Sequence, residues 1–250
     1  MFANKVVIVT GSSSGIGKEA ALIFAREGAK VVVHGQNEQR LKETVDEIAK
    51  ITSPSKVISV KGPIQDEKTW NTIASETIKK FGQIDILVNN AGSRDDGKDP
   101  KSLDCFQYCM DINVKSVIGL TQACIPYIKK TKGNIINVSS GLAKKISPHA
   151  PMYAISKAAL EHYTRHAAFE YAADDVRVNN VSPGLTNTYF QQRHIKMPDG
   201  ALEAFAKTLP LKRMGTAKES AEMIVFVASD KCSYVTGETL GVHGGILIKP

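Results

Sequence analysis

Residues 5–17 read KVVIVTGSSSGIG, and this stretch predicts the fold of the chain. Its first six residues are mostly apolar and β-branched, as in a short buried strand. A turn rich in glycine and serine follows at once and opens a helical pattern. Glycine lets the backbone turn tightly, and the first turn of a helix offers free N–H groups at its positive end. The stretch therefore predicts a strand, a loop suited to a phosphate, and a helix.

The glycines of this loop are Gly11, Gly15 and Gly17, so their spacing is G-x-x-x-G-x-G. This spacing differs from the common dinucleotide fingerprint G-x-G-x-x-G and from the G-K-[ST] of a P-loop. A glycine and serine turn without a ligand therefore remains an alternative. The position of the loop between a strand and a helix favours the phosphate cradle.

The alternation of apolar runs and helical patterns continues to the end of the chain. Strands are predicted at residues 5–10, 30–35, 56–62, 84–90, 134–140, 176–184 and 238–245. Helices are predicted at residues 16–27, 39–50, 67–80, 103–130 and 218–229, with a further helix around Tyr153. Short apolar strands separated by helices indicate a parallel sheet covered on both faces. We expect one α/β domain over residues 1–250, built on a doubly wound, Rossmann-like parallel sheet of seven strands.

Two connections are longer than the others, at residues 92–101 and 184–200. The second is too long for a simple turn, so residues 184–210 are predicted to form a substrate loop. An ordinary surface excursion is the alternative to a mobile lid. The side chains of this loop that are candidates for shaping a pocket are Tyr189, Phe190, His194 and Met197.

Charge and composition narrow the class of protein. The formal net charge is +7, but lysines and arginines are scattered among acidic residues, without a basic tail or stripe. A solvated basic surface is therefore favoured over the alternative of RNA binding. The apolar run at the amino terminus is too short for a signal segment or a membrane span. We expect a soluble, cytoplasmic protein without nucleic-acid or membrane partners.

The four cysteines lack paired C-x-x-C spacing, and three of them lie in one predicted helix, so reduced structural thiols are expected. Cys105 and Cys109 share a face of that helix, which would permit a metal site with two ligands. No cluster of further histidines or cysteines lies near them in the sequence, so we expect no metal.

Tyr153 and Lys157 lie four residues apart in the predicted helix YAISKAALEHYTRHAAFEY, so they share one helical face. A free tyrosine titrates near about 10, and a neighbouring cation favours the phenolate and lowers that pKa. The pair is therefore a candidate proton donor and acceptor. A chance pair on the surface is the alternative.

Four motifs occur in order with matching strand contexts: TGSSSGIG at residues 10–17, NNAG at residues 89–92, Ser140, and Tyr153-x-x-x-Lys157. Together with SPG at residues 182–184 and the closing segment YVTGETLGVHGG, they resemble the short-chain dehydrogenases/reductases over essentially the whole chain. The likeness is closest to the β-ketoacyl carrier-protein reductases and carbonyl reductases. It implies an NAD(P)-dependent oxidoreductase that transfers a hydride between a nicotinamide cofactor and a carbonyl or secondary alcohol. A dinucleotide-sensing protein that keeps the fold without catalysis is the alternative.

The resemblance also implies roles for single residues. Ser140, thirteen residues before Tyr153, is chosen over Ser139 as the hydrogen-bond donor to the substrate oxygen. Tyr153 would transfer the proton, and Lys157 would bind the nicotinamide ribose while lowering the pKa of the tyrosine. Asn113 would hold a water that links Lys157 to solvent. The implied cofactor-binding residues are Gly11, Ser13, Ser14, Gly15, Ile16, Gly17, Gly35, Gln36, Arg40, Ile64, Asn90, Ala91, Gly92, Tyr153, Lys157, Pro183, Gly184 and Thr188.

The choice between NAD and NADP should depend on the end of the second strand, where an acidic residue would bind the ribose 2′-hydroxyl of NAD. Gly35 occupies that place, and Gln36 follows where many NADP-preferring relatives have arginine. Basic residues that could approach a 2′-phosphate are Lys18, His34 and Arg40. We therefore expect NADP(H) to be favoured over NAD(H).

Two further expectations concern partners. Lys144, Lys145 and His149 precede Tyr153, so a cationic pocket rim would suit an acidic substrate, although solvent-facing lysines are the favoured interpretation. The family resemblance implies a homotetramer or homodimer. The sequence itself identifies neither the substrate nor the number of subunits.

Overall fold

The computed structural model of the protein describes residues 1–95, 97, 99–194, 198 and 200–248. Met197, a candidate for shaping the pocket, lies outside the described residues. The strands are β1 (Val6–Val9), β2 (Lys30–Gly35), β3 (Val57–Lys61), β4 (Ile86–Asn89), β5 (Asn134–Val138), β6 (Arg177–Pro183), β7 (Thr186–Asn187), β8 (Gly215–Thr216) and β9 (Thr239–Val242).

Most of the predicted helices are found close to their predicted bounds. The helices are α1 (Gly15–Arg26), α2 (Glu38–Ile51), α3 (Glu67–Phe81), α4 (Leu103–Met110), α5 (Ser116–Thr131), α6 (Pro151–Tyr171), α7 (Tyr189–His194), α8 (Ala201–Lys207) and α9 (Ala217–Ala228). The helix predicted at residues 103–130 is divided into α4 and α5, and α7 and α8 were not predicted. None of the described helices is long and apolar enough to cross a membrane.

Seven strands form one parallel sheet in the order β3-β2-β1-β4-β5-β6-β9. The strand order reverses between β1 and β4, so loops that leave these two strands diverge and open a crevice at their carboxyl ends. The predicted doubly wound, single-domain α/β architecture with seven parallel strands is confirmed.

The sheet is covered on both faces, as its apolar strands require. Val7 and Val9 on β1 point to one face and pack in a buried cluster with Phe24 of α1 and Ile224 of α9. Ile8, between them, points to the other face and packs in a second cluster that includes Leu120 of α5. This alternation explains why β1 is apolar at every position, since neither face meets solvent.

The helix predicted over residues 103–130 is helical throughout, but it is not uniform. Asp111–Lys115 form a π-helical turn between α4 and α5. Such turns insert an extra residue into the helical ladder and change which side chains face a neighbouring helix. The prediction of a single regular helix was wrong at this point.

The described residues of the long connection after β6 include short elements of secondary structure. These are β7, α7 and α8, and β7 pairs in parallel with β8, which precedes α9. These short elements were missed in the sequence because each is shorter than the windows over which periodicity is informative.

Candidate active site

A cleft of about 700 Å³ lies at the carboxyl ends of the central strands. Its walls come from the loops that follow β1, β2, β4, β5 and β6, together with the start of α6 and the helix α7. This is the place where a doubly wound sheet with this strand order is expected to bind ligands.

The glycine loop after β1 forms one end of the cleft. Gly11 and Gly15 adopt left-handed φ angles of 62° and 58°, which favour glycine. A Cβ on Gly11 would lie 2.8 Å from the Cα of Ala91, so no larger residue fits there. Asn90 holds the loop in place, because its Nδ2 donates to the carbonyl oxygens of Thr10 at 2.8 Å and Gly11 at 3.1 Å.

The start of α1 points at this loop and has no side-chain cap from Ser14, so its first N–H groups are available to an anion. Gly17 lies behind the loop, where a Cβ would collide with the amide of Asn90 and lie 2.6 Å from the carbonyl oxygen of Gly11. The loop therefore suits the pyrophosphate of a dinucleotide: its glycines let the backbone pack tightly against Asn90 and Ala91, and the first N–H groups of α1 are left for an anion.

His34, near the end of β2, holds the same loop through a hydrogen bond to its backbone. Its Nδ1 accepts from the N–H of Gly11 at 3.3 Å, and its Nε2 lies 3.0 Å from the carbonyl oxygen of Gly62, to which it donates in the neutral tautomer. Burial lowers the pKa of His34 to about 4, although the bond to Gly62 opposes the change. His34 lines the cleft, as a residue near a 2′-phosphate would, but in this neutral form it adds no positive charge there.

Arg40 is the cation that lines the cleft beside Gly35 and Gln36. Its guanidinium carbon lies 4.4 Å from the ring centroid of Tyr189, and a hydrogen bond from Arg40 lowers the pKa of that phenol. The Nε of Arg40 is buried without a hydrogen-bond partner in the described structure. Lys18, the other predicted cation, forms an ion pair of 2.7 Å with Glu47 and is absent from the described lining of the cleft.

Tyr153 lies in the first turn of α6, which begins at Pro151. Tyr153 is 8% exposed and lines the cleft, and so does Ser140. Burial raises the pKa of Tyr153 to about 12, while the nearby hydroxyl of Ser140 and the charge of Arg94 act in the opposite direction. The pKa is therefore raised where the sequence predicted a decrease.

Burial of the phenol causes this increase, and Lys157 is not among the groups that offset it. The Nζ of Lys157 donates to the carbonyl oxygen of Val138 at 2.8 Å and lies 5.8 Å from the centroid of the Tyr153 ring, so the ammonium is directed toward β5. The side chain is only 3% exposed. Burial lowers the pKa of Lys157 to about 8, and the charges of Cys109 and Glu161 oppose that change.

The two adjacent serines after β5 have different surroundings. Ser139 is buried and donates to the Oε1 of Glu161 at 2.9 Å. Ser140 begins a short helical turn, accepts from the N–H of Leu142 at 3.2 Å, and contacts Tyr153. Only the second serine brings its hydroxyl to the phenol.

Asn113 lies at the centre of the π-helical turn and is fully buried. Its Oδ1 accepts from the N–H of Ser93 at 3.0 Å, and its Nδ2 donates to the carbonyl oxygen of Ser93 and to the Oγ of Ser156. The side chain of Asn113 thus joins the loop after β4 to α6, one residue before Lys157.

Comparison with known proteins identifies the family. A family model described as Enoyl-(Acyl carrier protein) reductase matches residues 11–247. The chain is 37% identical over 246 residues to 3-oxoacyl-[acyl-carrier-protein] reductase FabG of Thermotoga maritima, with 98% of each chain covered. The chain belongs to the short-chain dehydrogenase/reductase family.

Two further relatives agree with this family. The chain is 36% identical over 252 residues to glucose 1-dehydrogenase of Gluconobacter oxydans, covering 99% of this chain and 93% of that relative. A crystal structure of a short-chain dehydrogenase/reductase of Caenorhabditis elegans with cofactor matches with a TM-score of 0.93 and 38% identity, covering 100% of this chain and 97% of that one. The chain is an NAD(P)-dependent oxidoreductase of this family that acts on CH–OH/C=O groups.

Most of the residues predicted for the site of this short-chain dehydrogenase/reductase line the cleft. They are Gly11, Ser13, Ser14, Gly15, Ile16, Gly35, Gln36, Arg40, Ile64, Asn90, Ala91, Gly92, Ser140, Tyr153, Lys157, Pro183, Gly184 and Thr188. Gly17 and Asn113 do not belong to the described lining, and they contact residues that do.

The sequence did not single out several residues at the substrate end of the cleft of this short-chain dehydrogenase/reductase. They are Ser93, Arg94, Tyr108, Leu142, Arg193, Phe205 and Ile246. They lie on loops and short helices, where no periodicity shows which way a side chain points. The position of Arg94 two residues after the NNAG motif was the one available signal.

Proposed function

We propose that the enzyme is an NADP(H)-preferring reductase of a small carbonyl compound, or dehydrogenase of the corresponding secondary alcohol, with its chemistry at Ser140 and Tyr153. The observation that carries the proposal is that these two side chains line the same cleft, with the hydroxyl of Ser140 near enough to the phenol of Tyr153 to act on its ionisation. A serine and a phenol that converge on one point can both bond a single substrate oxygen.

The nicotinamide cofactor, when bound, supplies or accepts the hydride. On this chain, Ser140 donates a hydrogen bond to the substrate oxygen and Tyr153 transfers the proton to or from the same atom. Lys157 lies one helical turn after Tyr153 and binds the ribose of the cofactor. Because charge develops on the substrate oxygen during the reaction, fixed donors at this point stabilise the transition state more than the ground state.

The raised pKa of Tyr153 is consistent with a proton donor that stays neutral until the substrate binds. A phenol of pKa about 12 releases its proton only as negative charge forms on the substrate oxygen. A bound nicotinamide carries a positive charge in its oxidised form, which would favour the phenolate in the reverse direction.

Asn113 acts on the site through its neighbours. A Cβ on Gly92 would lie 3.1 Å from the Oδ1 of Asn113 and 3.4 Å from the Nζ of Lys157, so both groups approach the same short backbone segment. We assign Asn113 as a positioning residue that, with an ordered water, connects Lys157 to solvent.

NADP(H) is favoured by the charge beside the second strand. Neither Gly35 nor Gln36 offers a carboxylate that would repel a phosphate, and Arg40 lines the cleft next to them with an unpartnered Nε. Arginine is suited to phosphate because its planar donors match the phosphate oxygens. Arg40 would then take the part that the resemblance had given to an arginine at position 36.

The alternative hypothesis, that the protein is a dinucleotide sensor without catalysis, is less well supported. A sensor needs the glycine loop and the contacts around Arg40, but it has no need for Ser140, Tyr153 and Lys157 in one cleft. The complete set favours an enzyme.

We further propose a cytoplasmic homodimer or homotetramer that assembles through α6. Phe169 is 89% exposed and Ile155 is 48% exposed on that helix. Large exposed apolar side chains on one helix are typical of surfaces that are covered by a partner.

The test follows the absorbance of NADPH and NADH with purified protein and a panel of ketones, diketones, quinones and β-ketoacyl thioesters. Turnover of at least one substrate, with NADPH preferred, supports the proposal. Tight cofactor binding without turnover on any of them would favour the sensor instead.

A further inference from the structure

The cleft is strongly cationic. Four permanently or mainly charged residues line it: Arg40, Arg94, Lys157 and Arg193. Among the described residues of its lining, none is an aspartate or a glutamate. A cavity walled by one sign of charge concentrates ligands of the opposite sign. The phosphates of the cofactor account for Arg40, and its ribose accounts for Lys157, so two arginines are left over.

Arg94 lies at the substrate end of the cleft, close to the reacting groups. Its carbonyl oxygen accepts from the Sγ of Cys109 at 3.0 Å, and Cys109 packs against Tyr153 in a small buried cluster. The charge of Arg94 is near enough to Tyr153 to act on its ionisation. The side chain is 16% exposed, so the guanidinium is held largely out of water.

The guanidinium keeps unused hydrogen-bonding capacity. Its NH2 group donates to the carbonyl oxygen of His149 at 2.7 Å and its NH1 group donates to the carbonyl oxygen of His194 at 3.2 Å. The Nε is buried without a hydrogen bond, and it forms a long ion pair of 3.8 Å with the Oδ2 of Asp95. Since a guanidinium has five N–H groups, each terminal nitrogen retains a second one.

The same end of the cleft also has an apolar wall. Leu142, Phe190, Phe205 and Ile246 form it, and the rings of Phe190 and Tyr153 are 6.1 Å apart. A substrate that fills this space needs an apolar body next to the carbonyl. The lysines that the sequence placed at the rim do not belong to the described lining: Lys145 donates to the carbonyl oxygen of Ile246, and Lys144 lies 4.0 Å from Glu161.

We propose that Arg94 binds a carboxylate on the substrate, so that the enzyme acts on apolar keto acids or hydroxy acids. This inference rests on the proposed function, and it names the substrate class for the same site. Arg94 is then a specificity-determining residue, and its two bonds to backbone carbonyls fix the plane in which its remaining N–H groups meet the anion. Arg193, on α7, contributes charge to the cleft without a described hydrogen bond that orients it.

The test measures binding by calorimetry, so that it does not depend on turnover. The probes are 4-phenylbutanoate and 4-phenylbutanamide, which differ in charge but hardly in shape, added to protein with and without saturating NADP⁺. The variants are Arg94→Met, Arg94→Lys and, as a control with the same loss of charge in the same cleft, Arg193→Met.

We expect the wild-type protein to bind the carboxylate roughly 10- to 100-fold more tightly than the amide, as for a hydrogen bond between charged groups. Arg94→Met should reduce this ratio to about one, Arg94→Lys should keep part of it, and Arg193→Met should leave most of it. A variant that only loosens α7 would weaken the binding of both probes equally, so the ratio of their affinities would not change.

Equal binding of the two probes by the wild-type protein would overturn the proposal. An equal loss of the carboxylate preference in Arg94→Met and Arg193→Met would also overturn it. Failure of the proposed function looks different, because no carbonyl compound would then be turned over with NADPH or NADH, whether or not the cofactor binds. The preference for the carboxylate over the amide can still be measured by calorimetry in the protein without cofactor.

Discussion

The Nζ of Lys157 donates a hydrogen bond of 2.8 Å to the carbonyl oxygen of Val138, the last residue of β5. This bond ties α6 to the end of the central strand and takes the ammonium out of water. Burial consequently lowers the pKa of Lys157 to about 8 from 10.5. Burial of this ammonium therefore lowers the stability of the fold at neutral pH, while it places the ammonium in the cleft.

The first prediction concerns the pH dependence of stability. Because the pKa of Lys157 is lower in the fold than in the unfolded chain, the unfolded chain binds more protons between about pH 8 and about pH 10.5. The contribution of this residue to the free energy of unfolding should rise with pH across that window, by about 3 kcal/mol in full. Urea unfolding of the wild-type protein and of Lys157→Met, compared at each pH, measures it.

The difference between the two proteins isolates Lys157, because other titrating groups such as Tyr153 are common to both. Stability curves that stay parallel from pH 7 to pH 10 would contradict the burial of a mainly charged ammonium at this point.

The adjacent serines offer a matched pair for the second prediction. Ser140→Ala removes the hydroxyl that contacts Tyr153, so kcat should fall roughly 100- to 1000-fold with little loss of stability. Ser139→Ala removes the buried donor to Glu161, so it should cost about 1–3 kcal/mol of stability and leave kcat within about threefold. Steady-state kinetics and urea unfolding of both variants measure these effects. A loss of kcat in Ser139→Ala together with a loss of stability in Ser140→Ala would show that the catalytic role belongs to Ser139.

A third prediction separates the two cations beside the second strand. Arg40→Gln removes the guanidinium that lines the cleft, so the KM for NADPH should rise roughly 10- to 100-fold while the KM for NADH changes little. Lys18→Gln is the control, because Lys18 is paired with Glu47 and should leave both constants unchanged. An Arg40→Gln enzyme that keeps its preference for NADPH would show that the 2′-phosphate is bound elsewhere.

The fold was predictable because its signals are local. The apolar run at Val6–Val9 followed by the glycine loop indicates a parallel strand and a ligand-binding turn, and the structure confirms both the strand and the position of its loop at the switch point. The motifs at Asn90, Ser140 and Tyr153 follow or face the carboxyl ends of strands, so topology alone brings them together.

What the sequence could not show depends on contacts between distant segments. The π-helical turn at Asp111–Lys115 has no glycine or proline that would signal it. The direction of the pKa change at Tyr153 depends on burial and on the carbonyl of Val138 that holds Lys157, neither of which is visible in an i, i+4 spacing. Arg94 is held at the cleft by the carbonyl oxygens of His149, in a loop, and of His194, at the end of α7, and both lie far from it in the chain.

The central claim is that Tyr153 transfers the proton in a cleft that also binds the nicotinamide cofactor. The most direct measurement compares wild-type protein with Tyr153→Phe, using NADPH fluorescence for binding and loss of NADPH absorbance for turnover. We expect the variant to bind NADPH within about threefold of wild type, because the ring and its packing remain, while kcat falls at least roughly 1000-fold. A variant that turns over at near the wild-type rate would contradict the claim.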